Sequence, residues 1–127
     1  PYGFHQWKKQ RRLPTMICPT IVLKKNRPMY ILGSGGSNRI RSAITQVLLN
    51  LIIKKLPLKE AINASRIHLE GKNLYFEPGI DIPNNKYFQH LTMIPFKEKS
   101  LFFGGVNCVT PNEAIGDARR GGIGEIF

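Results

Sequence analysis

The chain of 127 residues carries 19 lysines and arginines against 8 acidic residues, a net charge of +11, with 42% hydrophobic residues. That length and apolar content fit one domain, or one part of a larger unit, and exclude wholesale disorder. The longest apolar run, residues 47–53 broken by Asn50, is too short to cross a bilayer, and no apolar stretch follows the early basic residues as a signal peptide requires.

Residues 1–14 show neither helical nor strand period and lack an initiator methionine, so they read as the interior of a longer chain or a processed product. Ile21, Val22 and Leu23 read as a strand, residues 24–28 as a turn, and Met29 to Gly33 as a second strand of a hairpin. A turn with three glycines and two serines follows, Gly33-Ser34-Gly35-Gly36-Ser37-Asn38-Arg39. Ile40, Ala43, Ile44, Val47, Leu48, Leu51 and Ile52 then recur at three- and four-residue steps, which predicts an amphipathic helix. Ser37 or Asn38 can cap its start, Lys54 and Lys55 suit its negative end, and Pro57 stops it. Leu49 and Ile53 widen the apolar stripe, so the helix is expected to be buried on two sides. A short second helix is expected at Leu58 to Ala64, and a hairpin from Ile67–Glu70 and Leu74–Glu77. Further along, Pro83–Leu91 reads as a helix, and Thr92–Phe96, Phe102–Val109 and Ile123–Phe127 read as strands. Strands mixed with long helices give an α+β or layered class.

The charge is unevenly placed. All acidic residues lie at Glu60 or later, so the first 59 residues carry +12 and the remainder −1. Such asymmetry suits nucleic acid, an anionic ligand, an acidic partner surface, or simply a solvated basic face. The cluster Lys8-Lys9-Gln10-Arg11-Arg12, near Phe4 and Trp7, could clamp phosphates and stack bases, but it carries no nucleic-acid motif and reads better as an exposed loop. His5, His68 and His90 have no metal-ligand spacing. Cys18 and Cys108 form no CxxC pair and sit among apolar neighbours, which predicts buried thiols.

The glycine-serine turn lacks the Gly-Lys-Ser/Thr of a phosphate loop and the third glycine of a dinucleotide fingerprint. Glycines that open a helix can bring bare N–H groups to an anion, aided by the helix dipole. The backbone N–H groups of Gly36 and Ser37 are therefore candidates for an oxyanion hole, against the alternative of a tight connection with no ligand.

Taken in order, Pro19-Thr20-Ile21-Val22, residues 33–40, Glu60-Ala61-Ile62, Ala64-Ser65-Arg66-Ile67-His68, Glu77-Pro78-Gly79 and residues 116–122 resemble the γ-glutamyltransferases along the whole chain. They match the C-terminal part of the small subunit. The resemblance implies an incomplete domain of a four-layer αββα N-terminal nucleophile hydrolase fold. It implies a precursor that cuts itself, and a freed N-terminal threonine that attacks a γ-glutamyl amide with help from its own α-amino group. The acyl group then passes to water or an amino acid, with no cofactor and no metal. The partners it implies are the remainder of the small subunit and the large subunit of one precursor, with a γ-glutamyl substrate and neither nucleic acid nor membrane.

Residue by residue, Gly35-Gly36-Ser37-Asn38-Arg39 aligns with the family's oxyanion loop: Gly36 matches its first glycine and Ser37 replaces its second. The family's two carboxylate-holding serines fall at Thr15 and Met16, and only Thr15 keeps a hydroxyl. With Gly35, these are the expected substrate-binding residues. Met16 points to a weaker or different carboxylate contact, so an acylase or a poly-γ-glutamate-cleaving relative stands beside a glutathione-type enzyme. The nucleophile motif lies upstream of residue 1 in the family, so this chain alone is expected to be inactive.

Overall fold

The computed structural model describes Gln10, Arg12 and residues 15–127. The basic cluster at 8–12, with Phe4, His5 and Trp7, lies outside the described residues except for Gln10 and Arg12. Strand β1 (Thr20–Lys24) and strand β2 (Arg27–Gly35) form an antiparallel hairpin. Its turn is only Lys25-Asn26, with φ of +49° and +62°, the left-handed pair a two-residue hairpin with right-twisting strands demands. β2 therefore begins earlier and runs two residues further than its apolar core suggested.

Helix α1 (Arg39–Ile52) follows the glycine-serine turn, and helix α2 (Leu58–Asn63) follows Pro57. Ile40, Ala43, Ile44, Val47 and Leu51 are buried against Leu32, Val106 and Cys108 of the sheet. This is the three- and four-residue stripe read from the sequence. Asn50 is also buried, and its Nδ2 donates to the Ala61 carbonyl at 3.3 Å, joining the two helices. Leu49, Ile52 and Ile53 are exposed, so α1 is buried on one side and not on two.

Strand β3 (Ile67–Glu70) and strand β4 (Asn73–Phe76) pair antiparallel, and strand β5 (Thr92–Pro95) joins β4 in parallel. Residues 83–91 do not form a helix. Their backbone bonds are short turns, Phe88 N–H to Asn85 O at 3.1 Å and Leu91 N–H to Phe88 O at 2.9 Å. The Asn85 side chain accepts from Tyr87 N–H at 3.0 Å, the local competition with helix that asparagine offers. The Phe102–Val109 segment also divides: Leu101–Phe103 is a 3₁₀ turn, and strand β6 spans Gly105–Val109. Strand β7 (Glu113–Ile115), which the sequence reading missed, leads through a 3₁₀ turn at Ala118–Arg120 to strand β8 (Gly124–Ile126).

The larger sheet has the order β1-β2-β6-β7-β8 and is antiparallel throughout. Both helices pack on one face. On the other face Ile21, Ile31 and Val109, paired across three strands, stand exposed. One helical layer and one sheet layer with a bare apolar row are two of the four layers of an αββα sandwich.

Candidate active-site loop and its buried support

β2 ends at Gly35, paired with Gly105 of β6, and α1 begins at Arg39. Between them the backbone changes hand. Gly36 has φ of +134°, and a Cβ there would lie 2.9 Å from the Gly104 Cα, so no other residue fits. Ser37 has φ of +54° and Asn38 is right-handed at φ −58°. Successive residues of opposite hand turn their N–H groups into one concavity, a nest that suits an anion. Among the described residues, the N–H groups of Gly36, Ser37 and Asn38 donate to no other group. The Gly36 and Ser37 carbonyls instead start the helix, accepting from Arg39 N–H and Ile40 N–H at 3.1 Å each.

Neither expected cap forms. The Ser37 hydroxyl donates to the Met16 sulfur at 3.9 Å, and Asn38 Nδ2 donates to Glu70 Oε1 at 3.4 Å. Met16 is thus brought to the loop. Thr15 is exposed and its Oγ1 accepts from Ile17 N–H at 3.2 Å, a local bond within its own segment.

The sequence reading missed Arg120. Its side chain lies flat across the paired glycines at the strand ends. Its Cζ would be 3.4 Å from a Cβ on Gly35, and a Cβ on Gly105 would collide with its Cδ. Gly35 thus sits beneath a guanidinium. Arg120 is exposed, and its side chain makes no hydrogen bond or ion pair among the described residues. An open cation beside an open set of N–H groups makes this end of the sheet strongly receptive to anions.

A second set of charges lies below the loop and is almost fully paired, Arg66 Nε being its one polar side-chain atom without a partner among the described residues. Arg66 Nη2 pairs with Asp117 Oδ2 at 2.7 Å, Arg119 Nη1 with Asp117 Oδ1 at 3.2 Å, and Arg119 with Glu77, all four side chains being at most 2% exposed. The carboxylates also accept backbone N–H groups: Asp117 from Val106 and Arg119, Glu77 from Arg66 and Ser100, at 2.9–3.0 Å. The arginines donate to the carbonyls of Ile62, Ala64 and Phe103. Burial pushes the Asp117 carboxyl up, but Arg66, the two N–H groups and Arg119 together hold it below its ordinary value. Burial likewise lowers Arg119, yet Glu77 and then Asp117 more than offset that and raise it. For Arg66 burial, followed by the charge of Arg119, wins and lowers it. Arg66, Glu77 and Asp117 all sit in sequence motifs quoted above, where only their order had drawn notice.

The thiols differ from each other. Cys108 is buried, and burial raises it to about 11; Cys18 is exposed, against expectation, because the segment preceding β1 lies outside the core. Among the described residues no three metal-ligating side chains come together, and no helix is long and apolar enough to cross a membrane.

A helix-backed antiparallel sheet with an anion-receptive turn at one strand end defines the class. The chain has the fold of the N-terminal nucleophile hydrolases, superposing with a TM-score of 0.75 at 26% identity on the Bacillus anthracis transpeptidase CapD (96% of this chain, 77% of that one). It also superposes on the Pseudomonas nitroreducens gamma-glutamyltranspeptidase with a TM-score of 0.73 (95% and 67%), at 23% identity. Within that class the chain belongs to the gamma-glutamyltranspeptidase family, whose profile matches residues 2–124. It is 31% identical over 127 aligned residues to the capsule biosynthesis protein CapD proenzyme of Bacillus anthracis, covering 94% of this chain and 24% of that protein. The chain therefore spans about a quarter of the length of that curated relative.

Proposed function

We propose that this segment serves a γ-glutamyl hydrolase or transferase, in which the N–H groups of Gly36 and Ser37 stabilise the oxyanion formed as an N-terminal threonine attacks the γ-glutamyl amide. The observation that carries the reading is the change of hand from Gly36 and Ser37, both at positive φ, to right-handed Asn38, with three N–H groups that meet no partner among the described residues at the start of a 14-residue helix. The curated relative is described as a proenzyme. That supports a precursor whose remaining small-subunit residues and large subunit complete the site, and a chain that is inactive alone. Thr15, Met16 and Gly35 would line the glutamyl side of that site. The test is turnover of a γ-glutamyl anilide by the processed full-length protein and by residues 1–127 alone. Activity only in the former is expected; no turnover by the processed protein would overturn the reading.

A second reading, an acylase or a poly-γ-glutamate-cleaving enzyme, is favoured by one contact. Met16, which stands where the family keeps a carboxylate-holding serine, turns its sulfur to Ser37, while Arg120 offers a cation beside the same loop. Recognition of an anionic substrate would then shift from hydroxyl to guanidinium, the stronger and planar partner for a carboxylate. A panel of γ-glutamyl, poly-γ-glutamyl and acyl amides separates the two readings by kcat/KM.

A further inference from the structure

Two adjacent residues of the turn are held from outside by one side chain. Glu70 Oε1 accepts from Asn38 Nδ2 at 3.4 Å, and Glu70 Oε2 accepts from Arg39 Nη2 at 3.1 Å. Helix α1 has no acidic residue in its own first turn, so Glu70 is the carboxylate that its positive end meets.

The platform under Glu70 is firm. It is the last residue of β3, paired with Asn73 of β4 across the two-residue turn Gly71-Lys72. The Lys72 carbonyl accepts from Thr92 N–H at 2.8 Å, which ties that turn to β5. The Arg39 guanidinium is fixed as well, its Cζ lying 4.2 Å from the centroid of the Phe102 ring. Phe102 in turn stacks on Phe96 at 5.3 Å and meets Phe103 edge-on at 5.1 Å.

The hold on residues 38 and 39 reaches the open N–H groups through the peptide planes. A peptide unit is rigid, so a carbonyl and the N–H of the next residue turn together. Arg39 N–H donates to the Gly36 carbonyl, whose plane carries the Ser37 N–H, and Ile40 N–H donates to the Ser37 carbonyl, whose plane carries the Asn38 N–H. The plane that carries the Gly36 N–H is held separately, by the Ser34 hydroxyl donating to the Gly35 carbonyl at 3.0 Å.

We infer that Glu70 is a positioning residue for the turn: by holding Asn38 and Arg39 together it sets the direction of the Ser37 N–H group, while the Gly36 N–H group is aimed without it. The charge of Arg39 matches that of Glu70, so the carboxylate brings little net negative charge to an anion-receptive turn. The catalytic consequence rests on the proposed function above; the hold on the turn does not.

The experiment uses the processed full-length protein with Glu70→Ala, Glu70→Gln, Asn38→Ala and the double variant Asn38→Ala with Glu70→Ala. Hydrogen exchange of the peptide covering residues 33–40 and thermal unfolding are read first, because neither needs activity. Glu70→Ala is expected to speed that exchange, with Tm lowered by no more than about 2 °C, since a partly exposed ion pair contributes little to stability. Glutamine still accepts from Arg39, and the Asn38 amide can turn to accept from it, so Glu70→Gln is expected to bring exchange back toward the wild-type rate. On a γ-glutamyl anilide, Glu70→Ala is expected to lower kcat about tenfold with KM within about twofold, because one oxyanion donor is misdirected and none is removed. Glu70→Gln is expected to recover kcat to within about threefold of the wild type. The double variant should be no slower than Glu70→Ala, because both substitutions cut the same hold. Wild-type exchange in Glu70→Ala, or losses that multiply in the double variant, would overturn the inference. A kcat loss that glutamine does not recover, or a loss carried by KM alone, would overturn it as well. A wild-type protein without turnover would overturn the proposed function instead, and exchange would then decide the hold on the turn.

Discussion

Two anion-related regions share one end of this sheet, and they are built on opposite rules. Arg66, Glu77, Asp117 and Arg119 form a nearly closed set in which opposite charges and carbonyl or N–H partners meet in full burial, with Arg66 Nε alone left without a partner among the described residues. The turn at Gly36-Ser37-Asn38, with Arg120 across Gly35, holds backbone N–H donors and a guanidinium that meet no partner among the described residues. A buried charge without a counter-charge is costly, because desolvation costs several kcal/mol for each uncompensated ion. Exposed N–H groups and an exposed guanidinium lose little in water and gain much when an anion arrives in a site that excludes water. The closed set is thus suited to shape and the open set to binding. The largest test is Asp117→Ala, which strips Arg66 and Arg119 of a shared carboxylate. A destabilisation of about 3–5 kcal/mol is expected, seen as a loss of soluble, folded protein or a lower denaturant midpoint. A variant that unfolds as the wild type does would show that the network is not the brace described.

Gly36→Ala probes the open set in the same way. The added methyl meets Gly104 Cα at 2.9 Å and sits at a φ of +134°, so the turn must move while the core beneath it need not. Loss of one aligned oxyanion donor costs about 10²–10³ in kcat. The expected outcome is therefore a folded protein with kcat on a γ-glutamyl anilide reduced by at least about a hundredfold. If the variant instead unfolded as Asp117→Ala is expected to, the turn would belong to the structural set. Arg120→Ala is milder. With the side chain exposed and unpaired, stability should change by no more than about 0.5 kcal/mol. KM for an anionic substrate should rise about tenfold, with kcat less affected. An unchanged KM would take Arg120 out of substrate binding.

The open region was far more legible in the sequence than the closed one. Glycines and serines between an apolar strand and an amphipathic helix announce a backbone-donor turn by local pattern, and α1 announced itself through its apolar period. The closed set joins residues 66, 77, 117 and 119, brought together by strand order and the last 3₁₀ turn, and no local period encodes that meeting. Arg120 escaped for the same reason: its place depends on Gly35 and Gly105 being cross-strand partners. Leu49 and Ile53 were read as buried because apolarity does not say which faces have neighbours. Residues 83–91 were read as a helix although Asn84 and Asn85 supply turn chemistry of their own. Strand β7 is three residues long, too short for alternation to register.

The smallest expected effect concerns the border between the two regions, where His68 is buried beside Arg39. Burial and then the charge of Arg39 lower its pKa, Glu70 raises it, and Arg41 lowers it again, the net direction being down from 6.5; Tyr75 stands opposite on β4. The unfolded chain therefore binds the proton more readily than the folded one. Its contribution to stability is full above the unfolded value and is lost as pH falls from about 6.5 through the lower folded value. Wild-type protein should lose more Tm between pH 7.5 and 5.5 than His68→Gln does, by about 2 °C or less. The same protonation would place a second positive charge near the Arg39 guanidinium, so the 33–40 amides should exchange faster at pH 5.5 after correction for intrinsic rates. Equal Tm losses in the two proteins would mean that His68 titrates as it does in the unfolded chain. The loop would then take its geometry from Gly36, Gly104 and the Asn38 and Arg39 contacts with Glu70, with no contribution from the charge state of His68.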